Sequence, residues 1–128
     1  MVVIDTHVMI LDALQPKRLS ASARKALEGA QGPLAVSDIS LWETAMLIAK
    51  GRLAVSGDAA QFIDDLIQAR ALRVLPITPR IAVLAQSDDF KQGDPADRVI
   101  AATAIAHGAH LVSADAQLRR VPALRVIW

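Results

Sequence analysis

Gly93-Asp94-Pro95-Ala96-Asp97-Arg98-Val99-Ile100-Ala101-Ala102-Thr103-Ala104 reads as a helix start leading into a helix with almost no polar face. Asp94 stands where a cap belongs, Pro95 takes the first helical position, and Asp97 adds an acid to the first turn, where the helix dipole favours negative charge. A helix this apolar is buried against other elements. It predicts Pro95–His107, ended by Gly108, with the apolar run Leu111–Ser113 following as a strand.

The same alternation extends outward in both directions. Further strands are predicted at Val2–Asp5, Leu34–Ser37, Arg73–Ile77 and Leu124–Ile127, most of them continuously apolar, as strands covered on both faces are. Helices are predicted at Ala21–Ala30 (ending at Gly32), Ser40–Lys50 (ending at Gly51), Asp58–Ala71 and Pro79–Ser87, with a last turn from Asp115. On Asp58–Ala71, Phe62, Ile63, Leu66 and Ile67 share one face. Short buried strands alternating with helices predict an α/β fold with a mainly parallel sheet of about five strands. No linker, repeat or low-complexity tract interrupts it, so residues 1–128 are expected to form one domain.

Composition narrows the function classes. A chain that is 53% hydrophobic can cover both faces of a sheet. With no Cys, disulfides and thiolate metal sites are excluded, in keeping with a cytoplasmic protein. Met1-Val2-Val3-Ile4 is too short for a signal peptide and meets Asp5 at once, and no apolar run reaches membrane-spanning length. The net charge of +1 neither demands nor forbids a nucleic-acid partner, while aromatics at 3% disfavour an extended base-stacking platform.

Of the 13 acids, Asp12, Glu28, Asp64, Asp65, Asp88 and Asp89 read as solvated surface. Four are placed differently. Asp5 ends the first strand, Asp115 follows the end of Leu111–Ser113, and Glu43 and Asp97 lie in the first turns of their helices. Ligands of open α/β sheets gather outside the carboxyl ends of the strands, where these four acids can converge. Each taken singly also fits a plain cap: Asp5 or Thr6 for the helix after the first strand, Asp115 for the last turn, Ser40 and Glu43 as a capping box, Asp94 and Asp97 at their own helix start. Together they carry a cost that capping does not explain, because clustered carboxylates repel. A divalent cation removes that cost. Oxygen ligands without Cys, and with His7, His107 and His110 at no metal-binding spacing, point to Mg²⁺ or Mn²⁺ rather than zinc.

Val3-Ile4-Asp5-Thr6-His7, Val36-Ser37-Asp38-Ile39-Ser40-Leu41-Trp42-Glu43, Gly51-Arg52-Leu53, Gly93–Ala104 and Leu111-Val112-Ser113-Ala114-Asp115 together resemble a PIN-domain nuclease, and in order and spacing the VapC-type toxins of toxin–antitoxin pairs. The likeness spans nearly the whole chain. It implies a three-layer α/β/α fold and a metal site of Asp5, Glu43, Asp97 and Asp115. Thr6 supports that site through its hydroxyl, Ser37 is a further candidate, and Arg98 holds either the phosphate or a site carboxylate. Asp94 matches the family's essential acid less well than Asp97 does. Gln92 stands where similar sequences often carry His, which removes support for a site role there. The resemblance also implies a homodimer, an RNA substrate and an antitoxin whose tail covers the active groove.

The expected chemistry is metal-dependent hydrolysis of RNA phosphodiesters by an activated water, with no side-chain nucleophile. Lys50, Arg52, Lys91 and Arg98 lie near the motifs and are candidates to attract RNA. Trp42, Met46 and Leu47 are candidates for a dimer face, although core packing is the commoner fate of such residues. Rival readings fit less well. An acid-pocket phosphatase wants a second acid two residues after Asp5, where His7 stands. A phosphoacceptor module wants an acid pair after the first strand and a Lys after the last. A PIN-like module that binds without cutting is the remaining alternative, and the presence of all four acids argues against it.

Overall fold

The computed structural model describes residues 1–90 and 93–128; the expectations for Lys91 and Gln92 lie outside the described residues. In chain order the elements are β1 (Val2–Ile4), α1 (Thr6–Leu14), α2 (Ala21–Glu28), β2 (Leu34–Ser37), α3 (Ile39–Ala49), α4 (Ala59–Ala69), β3 (Arg73–Leu75), α5 (Pro79–Leu84), α6 (Pro95–Ala106), β4 (His110–Val112) and β5 (Val126–Ile127). Short 3₁₀ turns cover Pro16–Arg18, Asp88–Phe90 and Leu118–Arg120.

The sheet order is β3-β2-β1-β4-β5, and every pairing is parallel, from Val2 opposite Leu34 to Val112 opposite Ile127. The sheet is thus wholly rather than mainly parallel. Alternating side chains divide its two faces. Val3, Ala35, Leu75 and Leu111 point into a core built with Ile100, Ala101 and Ala104 of α6, Phe90, and Leu118, Val121 and Leu124 near the carboxyl end. Ile4, Val36 and Val112 point the other way, into a core with Val8 and Met9 of α1, Ala23 and Leu27 of α2, and Leu66 of α4. Helices therefore cover both faces, and the alanines of α6 let that helix lie close to the strands.

The chain runs outward from β1 through β2 to β3, then returns to place β4 on the other side of β1. The order reverses between β1 and β4, and a crevice opens at their carboxyl ends. Asp5 and Asp115 follow those two strands.

Several expectations change. The helix that Asp5 or Thr6 could cap runs over Thr6–Leu14; no bounds were predicted for it, because Val8-Met9-Ile10-Leu11 is unbroken apolar sequence without helical periodicity. The second helix ends at Glu28 with Gly29 as its cap, so Gly32 does not terminate it; a Cβ on Gly32 would lie 3.0 Å from the Met1 nitrogen. Gly51 and Gly108 do take the left-handed conformation that ends α3 and α6, with φ of 70° and 61°. Asp88 and Asp89 are exposed, as expected, and lie on a 3₁₀ turn. The last turn starts at Leu118, with Asp115 ahead of it. Asp12 is not simple solvated surface: it accepts two hydrogen bonds from Arg70, to Nε and to an Nη, each at 2.8 Å.

Candidate active site

Asp5 leaves β1 and caps α1, its Oδ1 accepting the Val8 N–H at 2.7 Å. Only 7% exposed, it is still more than a cap. Burial pushes its carboxyl above the usual range; hydrogen bonds from Ser113 and the Val8 N–H and the charge of His7 pull it back, and Asp115 adds to the rise.

Thr6 is fully buried beside it, and its hydroxyl donates to Ser40 Oγ at 2.9 Å. That contact joins the start of α1 to the first turn of α3. It also overturns the capping box. Asp38 is already in right-handed helical conformation (φ −61°, ψ −23°) and gives α3 no side-chain cap, so Ser40 falls inside the helix and its hydroxyl serves Thr6. Glu43 consequently has no cap to bond. It is 5% exposed, and its Oε1 has no hydrogen-bond partner among the described residues. An orphaned buried carboxylate oxygen costs free energy unless a donor or cation arrives.

Asp94 is the cap of α6, accepting the Ala96 N–H at 2.9 Å, and is itself exposed. Asp97, one turn in, has its carboxyl pushed up to about 7, first by burial and then by the charges of Glu43, Asp94, Asp115 and Asp5. All three other acids singled out in the sequence thus act on Asp97. Asp115 follows β4 and accepts the Gln117 N–H at 2.9 Å, while its own N–H donates to Ser113 Oγ at 3.1 Å. Among the described residues, no group of three or more His, Asp or Glu is arranged to hold a metal ion as it stands. The acids share one electrostatic neighbourhood without being drawn into a closed cage. Their oxygen-only chemistry, the orphaned Glu43 Oε1 and the mutual repulsion at Asp97 all fit a hard divalent cation.

Arg98 makes no ion pair with a site carboxylate among the described residues, and its Nε is buried without a partner among them. Ser37 is buried and accepts the Ile39 N–H at 3.2 Å, which orients the turn into α3. Lys50 and Arg52 are exposed. Trp42 is 60% exposed, whereas Met46 and Leu47 are half-buried. His107 and His110 flank Gly108 in the open, away from the acids at the opposite end of α6. Sequence reading passed over Ser113 and took Ser40 for a cap. A small hydroxyl residue just beyond a strand or helix start beside an acid is the signal that would have found them.

A PIN domain model matches residues 2–124. Ribonuclease VapC22 of Mycobacterium tuberculosis is 38% identical over 130 residues, covering 99% of this chain and 98% of that protein. The chain therefore belongs to the PIN-domain family, among the VapC-type ribonucleases of toxin–antitoxin pairs, nucleases that are typically metal-dependent. Solved structures share the fold at lower identity. VapBC2 from Rickettsia felis, bound to a promoter DNA fragment, has a TM-score of 0.73 at 20% identity, with 98% of this chain and 97% of that one covered. VapBC-1 from nontypeable Haemophilus influenzae has a TM-score of 0.72 at 18% identity, with 98% and 96% covered. No helix of the described residues is long and apolar enough to cross a membrane.

Proposed function

We propose that this chain is an endoribonuclease that hydrolyses RNA phosphodiesters with Mg²⁺ or Mn²⁺ held by Asp5, Glu43, Asp97 and Asp115. The observation that carries this reading is the buried Glu43 carboxylate, whose Oε1 has no hydrogen-bond partner among the described residues, acting on an Asp97 carboxyl raised first by burial and then by Glu43, Asp94, Asp115 and Asp5. When bound, a divalent cation lowers the pKa of a coordinated water and neutralises charge on the attacked phosphate.

The remaining contributions come from the chain. The Val8 N–H and Ser113 hydroxyl hold the Asp5 carboxylate in place. The Thr6–Ser40 hydrogen bond fixes α1 against α3, and so Asp5 against Glu43. Burial, then the surrounding acids, raise the Asp97 carboxyl to about 7, and positive charge entering the cluster favours its ionised form. Arg98, adjoining Asp97, is placed to meet a phosphate oxygen. None of the four carboxylates needs to act as a nucleophile. The attacking oxygen comes from water, the bond to the 3′ oxygen breaks, and a 5′ phosphate remains.

The partner belongs to the same reading. Solved structures that share this fold include VapBC2 of Rickettsia felis and a toxin–antitoxin complex from Klebsiella pneumoniae. A cognate antitoxin covering the acid crevice is the expected partner here. A second copy is expected on the exposed Trp42 face of α3; sedimentation as a monomer at tens of micromolar, roughly where weak oligomers dissociate, counts against it. The cytoplasm, where RNA and a co-expressed antitoxin meet, is the proposed location.

The deciding test incubates purified protein with structured RNA and Mg²⁺, with EDTA, and as Asp97→Asn. Cleavage by the wild type alone, and only with metal, is expected. Equal cleavage by wild type and Asp97→Asn overturns the assignment.

A further inference from the structure

Asp115 and Arg98 also border a cavity of about 290 Å³, whose other walls include Phe90, Leu118, Arg120 and Val121. At about 30 Å³ per water molecule it has room for roughly ten waters, the lower end of the range for small-molecule sites. Its floor is apolar, from Phe90, Leu118 and Val121, all buried. Its cationic groups are Arg98 and Arg120.

Two observations favour a ligand with an anionic end and an apolar part, in a lining that sets the guanidinium groups of Arg98 and Arg120 among the carboxylates of Asp88, Asp89 and Asp115. The Arg98 Nε is buried and has no hydrogen-bond partner among the described residues, a donor left waiting. Asp115 belongs to both the cavity wall and the acid cluster acting on Asp97. A ligand in the cavity therefore lies directly beside the chemistry.

We propose that this cavity binds one unpaired nucleotide of the RNA, the one adjoining the phosphodiester that is cut, and so sets base preference at the cleavage site. The inference rests on the ribonuclease reading above. The base lies against Phe90, Leu118 and Val121, and its phosphate meets the guanidinium groups of Arg98 and Arg120. An open cavity of about 290 Å³ suits a single nucleotide, and a base must leave its pair to lie against its floor, so the target is a loop or an unpaired end. Asp88 and Asp89 at the lip are acceptors only, which suits the exocyclic amino groups of adenine, cytosine or guanine. Uracil, carrying no amino group, is the poorest fit.

The test has two arms, one independent of cleavage. In the first, the four ribonucleoside 5′-monophosphates are titrated into the Mg²⁺-loaded protein and followed by amide chemical shifts. Shifts at residues 117–121 and Phe90 are expected, weakest with UMP. Arg120→Ala weakens binding about tenfold, in line with loss of one charge-assisted hydrogen bond. Gln117→Trp, an exposed substitution at the mouth that leaves the apolar floor intact, blocks binding. In the second arm, a randomised RNA is cleaved and the products are sequenced. Wild type is expected to show a base preference at one nucleotide beside the cut, flattened in both variants. No nucleotide-induced shifts in the cavity, a preference for uracil, or a cleavage preference unchanged in both variants overturns the inference, while RNA cleavage itself still stands. Nucleotide binding without any RNA cleavage supports the pocket and overturns the ribonuclease reading instead.

Discussion

Asp12 and Asp97 are both partly buried carboxylates on helices, and they meet opposite surroundings. Asp12 on α1 is gripped by Arg70 just beyond α4, two hydrogen bonds at 2.8 Å closing a fork across 58 residues of chain. Its side chain is 10% exposed and that of Arg70 is 37% exposed. Asp97 on α6 meets acids instead: Glu43, Asp94, Asp115 and Asp5 all raise its pKa. One carboxylate has its countercharge supplied by the fold and ties two helices together. The other lacks one and makes the folded protein less stable at neutral pH than it would be with a neutral side chain there. A fold retains such an arrangement when something outside the chain completes it.

The sharpest way to break this contrast is to neutralise each acid. Asp97→Asn is expected to lower RNA cleavage by more than about a hundredfold, the upper end of the effect of merely supporting groups around a metal, while the metal-free protein melts no lower than wild type. A single-turnover cleavage assay and a thermal melt read the two effects. An Asp97→Asn protein that melts well below wild type would place Asp97 on the structural side with Asp12.

The Arg70 clamp should behave in the reverse way. Arg70→Ala leaves Asp12 partly buried and unpaired, a loss of about 1–2 kcal/mol, or roughly 3–8 °C in Tm for a domain of this size. Cleavage per folded molecule at 20 °C is expected to stay within about twofold of wild type, since the clamp touches no site acid. Calorimetry beside the cleavage assay checks both.

pH separates the regions a third way. The Asp97 carboxyl titrates near 3.8 when unfolded and at about 7 in the native protein. Between those values the native state binds more protons, so stability falls as pH rises. The contribution is whole below the unfolded value and gone once pH passes the native one. Asp5, also raised by burial, adds to the same slope. In EDTA the wild type is therefore expected to melt several degrees lower at pH 8 than at pH 5, roughly 5 °C by the usual stability–Tm relation. Asp97→Asn, or excess Mg²⁺, shrinks the difference. A flat profile in EDTA for the wild type would remove the acid repulsion from the account.

The smallest effect is expected at the hydroxyl contact beneath the acids. Thr6→Val removes the hydrogen bond to Ser40 at constant shape, at about 1 kcal/mol. It loosens Asp5 relative to Glu43, and cleavage falls several-fold with KM little changed. If kcat is unchanged while Tm drops, the contact is structural alone.

Much of this was readable from the chain. Continuous apolar strands such as Leu34–Ser37 and the punctuated helix from Pro95 fell within a residue or two of their observed bounds, because their patterns are local. The acids were readable as strand-end and helix-start residues for the same reason. What escaped depends on distance. The Asp12–Arg70 fork joins residues with no local relation, so Asp12 looked like surface. Ser40 looked like a cap because the αR conformation of Asp38, which starts the helix earlier, leaves no mark in the sequence. Ser113 gains its role only by approaching Asp5 across the neighbouring strand, and α1 has too few polar residues to show a helical period.

The parallel sheet has a consequence in time. Every strand pairing joins residues distant in the chain, from Val2 with Leu34 to Val3 with Leu111, and no hairpin offers a short cut. Such high contact order slows folding. Asp5 cannot stand beside Asp115 until β4 has docked against β1, a pairing between strands far apart in the chain. The slow, long-range β1–β4 pairing is therefore also the step that brings these two acids together.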